Sequence, residues 1–70
     1  MSKLPRLSGI EIIKILTKEF GFSVAHQKGS HVTLKKVVTV VPLHKEVKTG
    51  TLIGILELGR INREEFLAKV

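Results

Sequence analysis

His26, His31 and His44, with a run of lysines around them, are the side chains of this chain best suited to chemistry. All six acidic residues are glutamates, and the sequence holds neither aspartate nor cysteine. Without cysteine there are no disulfides, thiolate nucleophiles or thiolate metal sites. A two-metal nuclease needs several converging carboxylates, and glutamates that fall mostly at helix starts and exposed helical positions do not offer them. A Ser–His–Asp triad lacks its aspartate, and no serine lies on a nucleophile-elbow pattern. No metal or cofactor is expected. What remains is proton transfer by histidine, which ordinarily titrates near pH 6.5 and so can act as acid or base at about neutral pH. RNA suits such a protein because its 2′-hydroxyl is a built-in nucleophile. Strand cleavage then needs a base, an acid and positive charge near the phosphate.

The three histidines read differently. His26 continues the face of Phe22 and Val24 at a strand end, which suggests partly buried packing. His44 follows Pro42 in a polar connection and reads either as a solvated loop residue or as a phosphate contact. His31 lies opposite the Val32 and Leu34 face, beside a Gly29-Ser30 turn whose backbone amides are accessible. By residue type it is either an ordinary exposed strand residue or a proton-transfer group. Lys28, Lys35, Lys36, Lys45 and Lys48 concentrate between residues 28 and 48, which favours an anion-binding edge over scattered solubilising charge.

These residues need a scaffold. Residues 1–7 read as an extended lead-in. Ser8-Gly9-Ile10-Glu11 matches the S-x-x-E capping box. Ile10, Ile13, Leu16 and Phe20, with Ile12 widening the stripe, recur at helical spacing and predict a helix over about residues 9–20, stopped by Gly21. "FSVAHQ" and "HVTLK" alternate as strands around a Lys28-Gly29-Ser30 turn. "VVTVV" is a third strand ending at Pro42, joined through Lys35-Lys36, which lacks the usual hairpin residues. After a polar connection, Thr49 or Thr51 can cap a second helix with Leu52, Ile55 and Leu56 on one face and Gly59 ending it. Asn62 caps a short third helix with acidic residues in its first turn. The expected fold is α+β, in the order α-β-β-β-α, with a three-stranded antiparallel sheet, helices on one face and a short C-terminal helix. Residues 1–70 form one domain, with 62–70 as a helical appendage.

Twelve basic residues against six acidic ones give a net charge of +6, which points to a polyanionic partner. Only three aromatic residues are present, all phenylalanine, so base stacking is not the main mode of binding. No apolar run is long enough to span a bilayer, and the N-terminus does not read as a signal peptide. A cytoplasmic protein with no membrane association is expected.

"GF" at 21–22, "QKGSH" at 27–31 and "VPLHKEVKTGTLIGIL" at 41–56, in that order, resemble the HicA toxin family of toxin–antitoxin systems. The resemblance extends through "LGRINREEFL", nearly the whole chain. It implies a double-stranded-RNA-binding-like fold and a metal-independent ribonuclease that cleaves mRNA, with the Gly-Ser-His histidine, here His31, as the catalytic residue. It also implies a HicB-like antitoxin that binds the toxin and blocks the site. Phosphate binding is expected from Lys28, Gly29, Ser30, Lys35, Lys36, His44, Lys45 and Lys48, while His44, Lys28 or water could supply the second proton. Many members carry Arg or a similar residue where this chain has His26, and a longer turn where Lys35-Lys36 stands. The competing readings are a non-catalytic double-stranded-RNA-binding module, whose surface should span about 16 base pairs, and a protein whose basic face serves an acidic partner.

Overall fold

The computed structural model describes residues 4–70, so the first three residues of the expected lead-in lie outside the described part. Ser8 caps α1 (Gly9–Glu19): its hydroxyl accepts from the Glu11 N–H while its own N–H donates to Glu11 Oε1, the reciprocal pair the sequence predicts. The Ser8 backbone N–H, then its hydroxyl, hold the Glu11 carboxyl below the ordinary carboxylate range, with burial opposing and Lys14 adding a smaller pull. The core stripe is Ile12 and Leu16, both fully buried, with Ile13, Ile15 and Phe20 packed at its margin. Ile10, expected to begin the stripe, is 58% exposed instead. In the first turn of the helix, it faces away from the buried Ile12–Leu16 line. Gly21, at φ 73°, turns the chain out of the helix and lets the Phe22 N–H reach the Leu16 carbonyl at 3.1 Å.

β1 (Ser23–Lys28), β2 (His31–Lys35) and β3 (Thr39–Pro42) form an open antiparallel meander in the order β1-β2-β3. The third strand is shorter than "VVTVV" suggests. Val37 and Val38 belong to the connection, where they are exposed, so the link from β2 runs through Lys36-Val37-Val38 and not through Lys35-Lys36 alone. β-branched residues favour strands only where they have a packed surface to fit. Val32 and Leu34 from β2, with Thr39 and Val41 from β3, make the buried face, onto which α1 and α2 (Thr49–Leu58) pack. The Thr39 hydroxyl donates to the Ile55 carbonyl at 2.8 Å within this core and ties β3 to α2.

α2 buries Leu52, Ile55 and Leu56 as expected, but neither Thr49 nor Thr51 caps it. Lys48 holds the cap position in an extended conformation and makes no side-chain cap bond. At the other end, Gly59 is not left-handed. Arg60 takes the positive φ of 54°, while Gly59 is needed for closeness, since a Cβ there would meet Phe22 Cζ at 3.3 Å and Ile61 Cδ1 at 3.1 Å. Asn62 caps α3 (Arg63–Ala68) by accepting from the Glu64 and Glu65 N–H groups. Phe66 is thereby delivered into the core, where its ring stacks with Phe20 at 6.5 Å. The lead-in is also tethered: Leu4 and Leu7 are buried, and Leu7 bridges to Val47. The observed order is the expected α-β-β-β-α followed by a short helix, with the helices on one face.

Candidate functional site

The face of the sheet away from the helices presents His31 and His26. Gly29 and Ser30 are the whole loop of the first hairpin, and Lys28 and His31 are the pair that closes it. Gly29 has φ 59° whereas Ser30 does not enter the left-handed region, the pattern of a type II′ turn that requires glycine in first place. The Gln27 amide donates to the Gly29 carbonyl at 2.9 Å and braces the loop. Beyond the turn, the Leu43 N–H donates to the Ser30 carbonyl, which draws the start of the next connection alongside it. The Gly9 N–H holds the His44 carbonyl at 2.8 Å.

His31 is exposed at the head of β2, and strand alternation puts it on the open face with Thr33 and Lys35, opposite the buried Val32 and Leu34. His26 is where sequence reasoning fails. It is exposed, not partly buried, like every residue of this edge strand, and β1 bulges between Val24 and His26. Val24 pairs with Leu34, His26 with Thr33, Gln27 with Val32 and Lys28 with His31. Two β1 residues, Ala25 and His26, thus oppose Thr33 alone. The extra residue reverses the alternation and moves His26 and Lys28 onto the face of His31. Val24, on the helix side of the bulge, is nonetheless 55% exposed because β1 is an edge strand.

The expected phosphate-binding residues divide by place. Lys28, Gly29 and Ser30 adjoin His31, whereas the His44 carbonyl is held by the Gly9 N–H at the start of α1, one residue past the Leu43 N–H that bonds to Ser30. Lys35 shares the open face but sits four residues along the strand, roughly 13 Å away at the usual rise. Lys36 is engaged elsewhere: its ammonium donates to the Phe20 carbonyl at 2.9 Å at the end of α1 and lies 6.0 Å from the Phe22 ring centre. Lys45 and Lys48 are exposed farther along, on the connection into α2. Among the described residues, no three His or Glu side chains are grouped so that they could hold a metal ion. A groove of about 650 Å³ lies between α1 and Lys69 and contains no histidine.

A basic hairpin end presenting Gly-Ser-His on an open sheet, with the Val-Pro-x-His segment bonded beside it, coincides with the span recognised by a family. Residues 9–59, more than half of the chain, match the family described as the HicA toxin of bacterial toxin–antitoxin systems. The chain belongs to the HicA toxin family. As a HicA toxin, it is the toxin component of such a system, and membership implies an antitoxin partner. The matched span contains α1, the whole sheet and α2, and leaves α3 outside. No curated protein and no solved structure matches this HicA chain. No helix among its described residues is long and apolar enough to cross a membrane.

Proposed function

We propose that this toxin is a metal-independent ribonuclease that cleaves mRNA, with His31 exchanging a proton at the scissile phosphate. The observation that carries the reading is the position of His31: exposed at the head of a strand, directly after a two-residue turn and opposite Lys28. In this reading Lys28 and the amides of the Gly29-Ser30 turn neutralise the phosphate, and Lys35 takes charge farther along the strand. His31 accepts or returns the proton that moves when the RNA 2′-hydroxyl attacks phosphorus. Positioned general acid–base catalysis of this kind is worth about 10²–10⁴-fold.

Five of the six glutamates support the metal-free route by where they are placed. Glu11 closes the α1 cap, Glu64 and Glu65 lie in the first turn of α3, and Glu19 and Glu46 pair with Lys69 and Arg6. The antitoxin would be HicB-like and would cover the basic open face, and the toxin would act in the cytoplasm, where mRNA is available. The test uses RNA and a matched strand carrying a single 2′-deoxy sugar at the cleavage position, both in EDTA. Cleavage of the RNA alone, leaving a 2′,3′-cyclic phosphate, is expected. Cleavage at the deoxy sugar, or activity only with added Mg²⁺, would overturn the reading.

A further inference from the structure

Proton transfer at an RNA phosphate needs two groups, and His31 is one. We infer that His26 is the second proton-transfer residue of the same site, an inference that rests on the ribonuclease reading above. The β1 bulge is the decisive feature. With His26 opposite Thr33 and Lys28 opposite His31, the two histidines are diagonal neighbours on the open face of adjacent strands. Such diagonal positions stand roughly 7–8 Å apart, within mutual reach of long or aromatic side chains. Both are exposed, and neither imidazole has a hydrogen-bond or ion-pair partner among the described residues, so both are available to substrate.

The arrangement suits in-line displacement. The entering 2′-oxygen and the leaving 5′-oxygen lie on opposite sides of phosphorus, so two proton-transfer groups must flank the phosphate. One imidazole, neutral, takes the 2′-hydroxyl proton as the O2′–P bond forms. The other, as imidazolium, gives a proton to the 5′-oxygen as the P–O5′ bond breaks. The products are a 2′,3′-cyclic phosphate and a 5′-hydroxyl end, and solvent restores both histidines. The charged or titratable groups of this face are His26 and Lys28 from β1 and His31 and Lys35 from β2, while β3 contributes Val40 and Pro42. Lys28, next to both histidines, serves the phosphate. His44 is placed differently: its carbonyl is bound by Gly9, and it lies past Pro42, where the chain has left the sheet.

The test compares the parent, His26→Ala and His31→Ala on two substrates in EDTA, with circular dichroism and RNA binding as controls for the fold. One substrate is a dinucleotide with an ordinary 5′-oxygen leaving group. The other is uridine 3′-(4-nitrophenyl phosphate), whose leaving group departs without a proton. Each variant should lose about 10²–10⁴-fold on the dinucleotide. One of the two, the variant lacking the acid, should return to near the parental rate on the activated ester, while the other should not. His26→Ala cutting the dinucleotide at the parental rate would overturn the inference, and so would failure of both variants to respond to the leaving group. An inert parent would overturn the ribonuclease reading itself, a result distinct from either.

Discussion

Lys28 stands directly opposite His31 across the first hairpin, and the two-residue Gly29-Ser30 loop leaves no freedom to shift that pairing. A cation and an imidazole are thus held side by side by backbone register alone, on a face that no helix covers.

Lys28→Ala should weaken RNA binding and lower the slope of log affinity against log salt by about one, the signature of a lost phosphate contact. Lys36→Ala provides the contrast. Its ammonium is already committed to the Phe20 carbonyl, so the slope should stay at the parental value. Fluorescence anisotropy with labelled RNA across a salt series checks both.

Gly29→Ala should cost roughly 1–2 kcal/mol, because an L-residue is strained at the left-handed φ of 59°. A Cβ there would meet nothing within 4 Å, so the whole cost is backbone strain. Urea unfolding should show a lower midpoint with an unchanged slope. Gly29→Asn should lose less, since asparagine tolerates this region better.

Gly9 and Gly54 should respond to alanine with opposite signs. A Cβ at Gly9 would run into the Pro42 carbonyl and lie 2.9 Å from Leu43 Cα, so α1 must shift from the end of β3. Overpacking of this kind costs about 1–3 kcal/mol. Gly54 lies within α2 with open space at its Cβ, and Gly54→Ala should stabilise by about 0.4–1 kcal/mol. Thermal melts of the two variants decide the matter.

The α1 cap should make stability depend on acid in a defined direction. The folded Glu11 carboxyl titrates below its ordinary value, chiefly through its bond from the Ser8 N–H. The unfolded chain therefore takes up the proton first as pH falls. The cap's contribution is complete above the ordinary carboxylate range and is lost as pH drops through the depressed value. Melts of the parent and Glu11→Gln should differ near neutral pH and converge in acid. Ser8→Ala should cost about 1 kcal/mol at neutral pH.

The elements with strong local signals were legible in the residues. Ser8 and Glu11 mark the start of α1, Asn62 marks α3, and Gly29-Ser30 marks the hairpin, each through chemistry confined to a few neighbouring positions. Helix and strand order followed from these marks and from apolar periodicity. The bulge was not read, although its cause is in the sequence. Phe22, Val24, His26 and Lys28 share one parity, and an unbroken strand would put them all on one face. Phe22 is needed in the core while Lys28 is needed outside, opposite His31, and an extra residue at Ala25 reconciles the two. Val37 and Val38 misled for the opposite reason, since strand propensity could not reveal that no partner surface reaches them. Lys36 gave no local sign of its partner, because the Phe20 carbonyl lies sixteen residues away.

The most direct measurement is cleavage of end-labelled single-stranded RNA in EDTA by the parent and by His31→Ala, purified side by side. His31 is exposed and outside the core, so the substitution should leave stability within about 0.5 kcal/mol of the parent. Cleavage by the parent, with a loss of at least about 10²-fold in the folded variant, is the predicted result. Equal cleavage by both proteins would contradict the role assigned to His31, and binding without cleavage by either would leave an RNA-binding module in place of the ribonuclease.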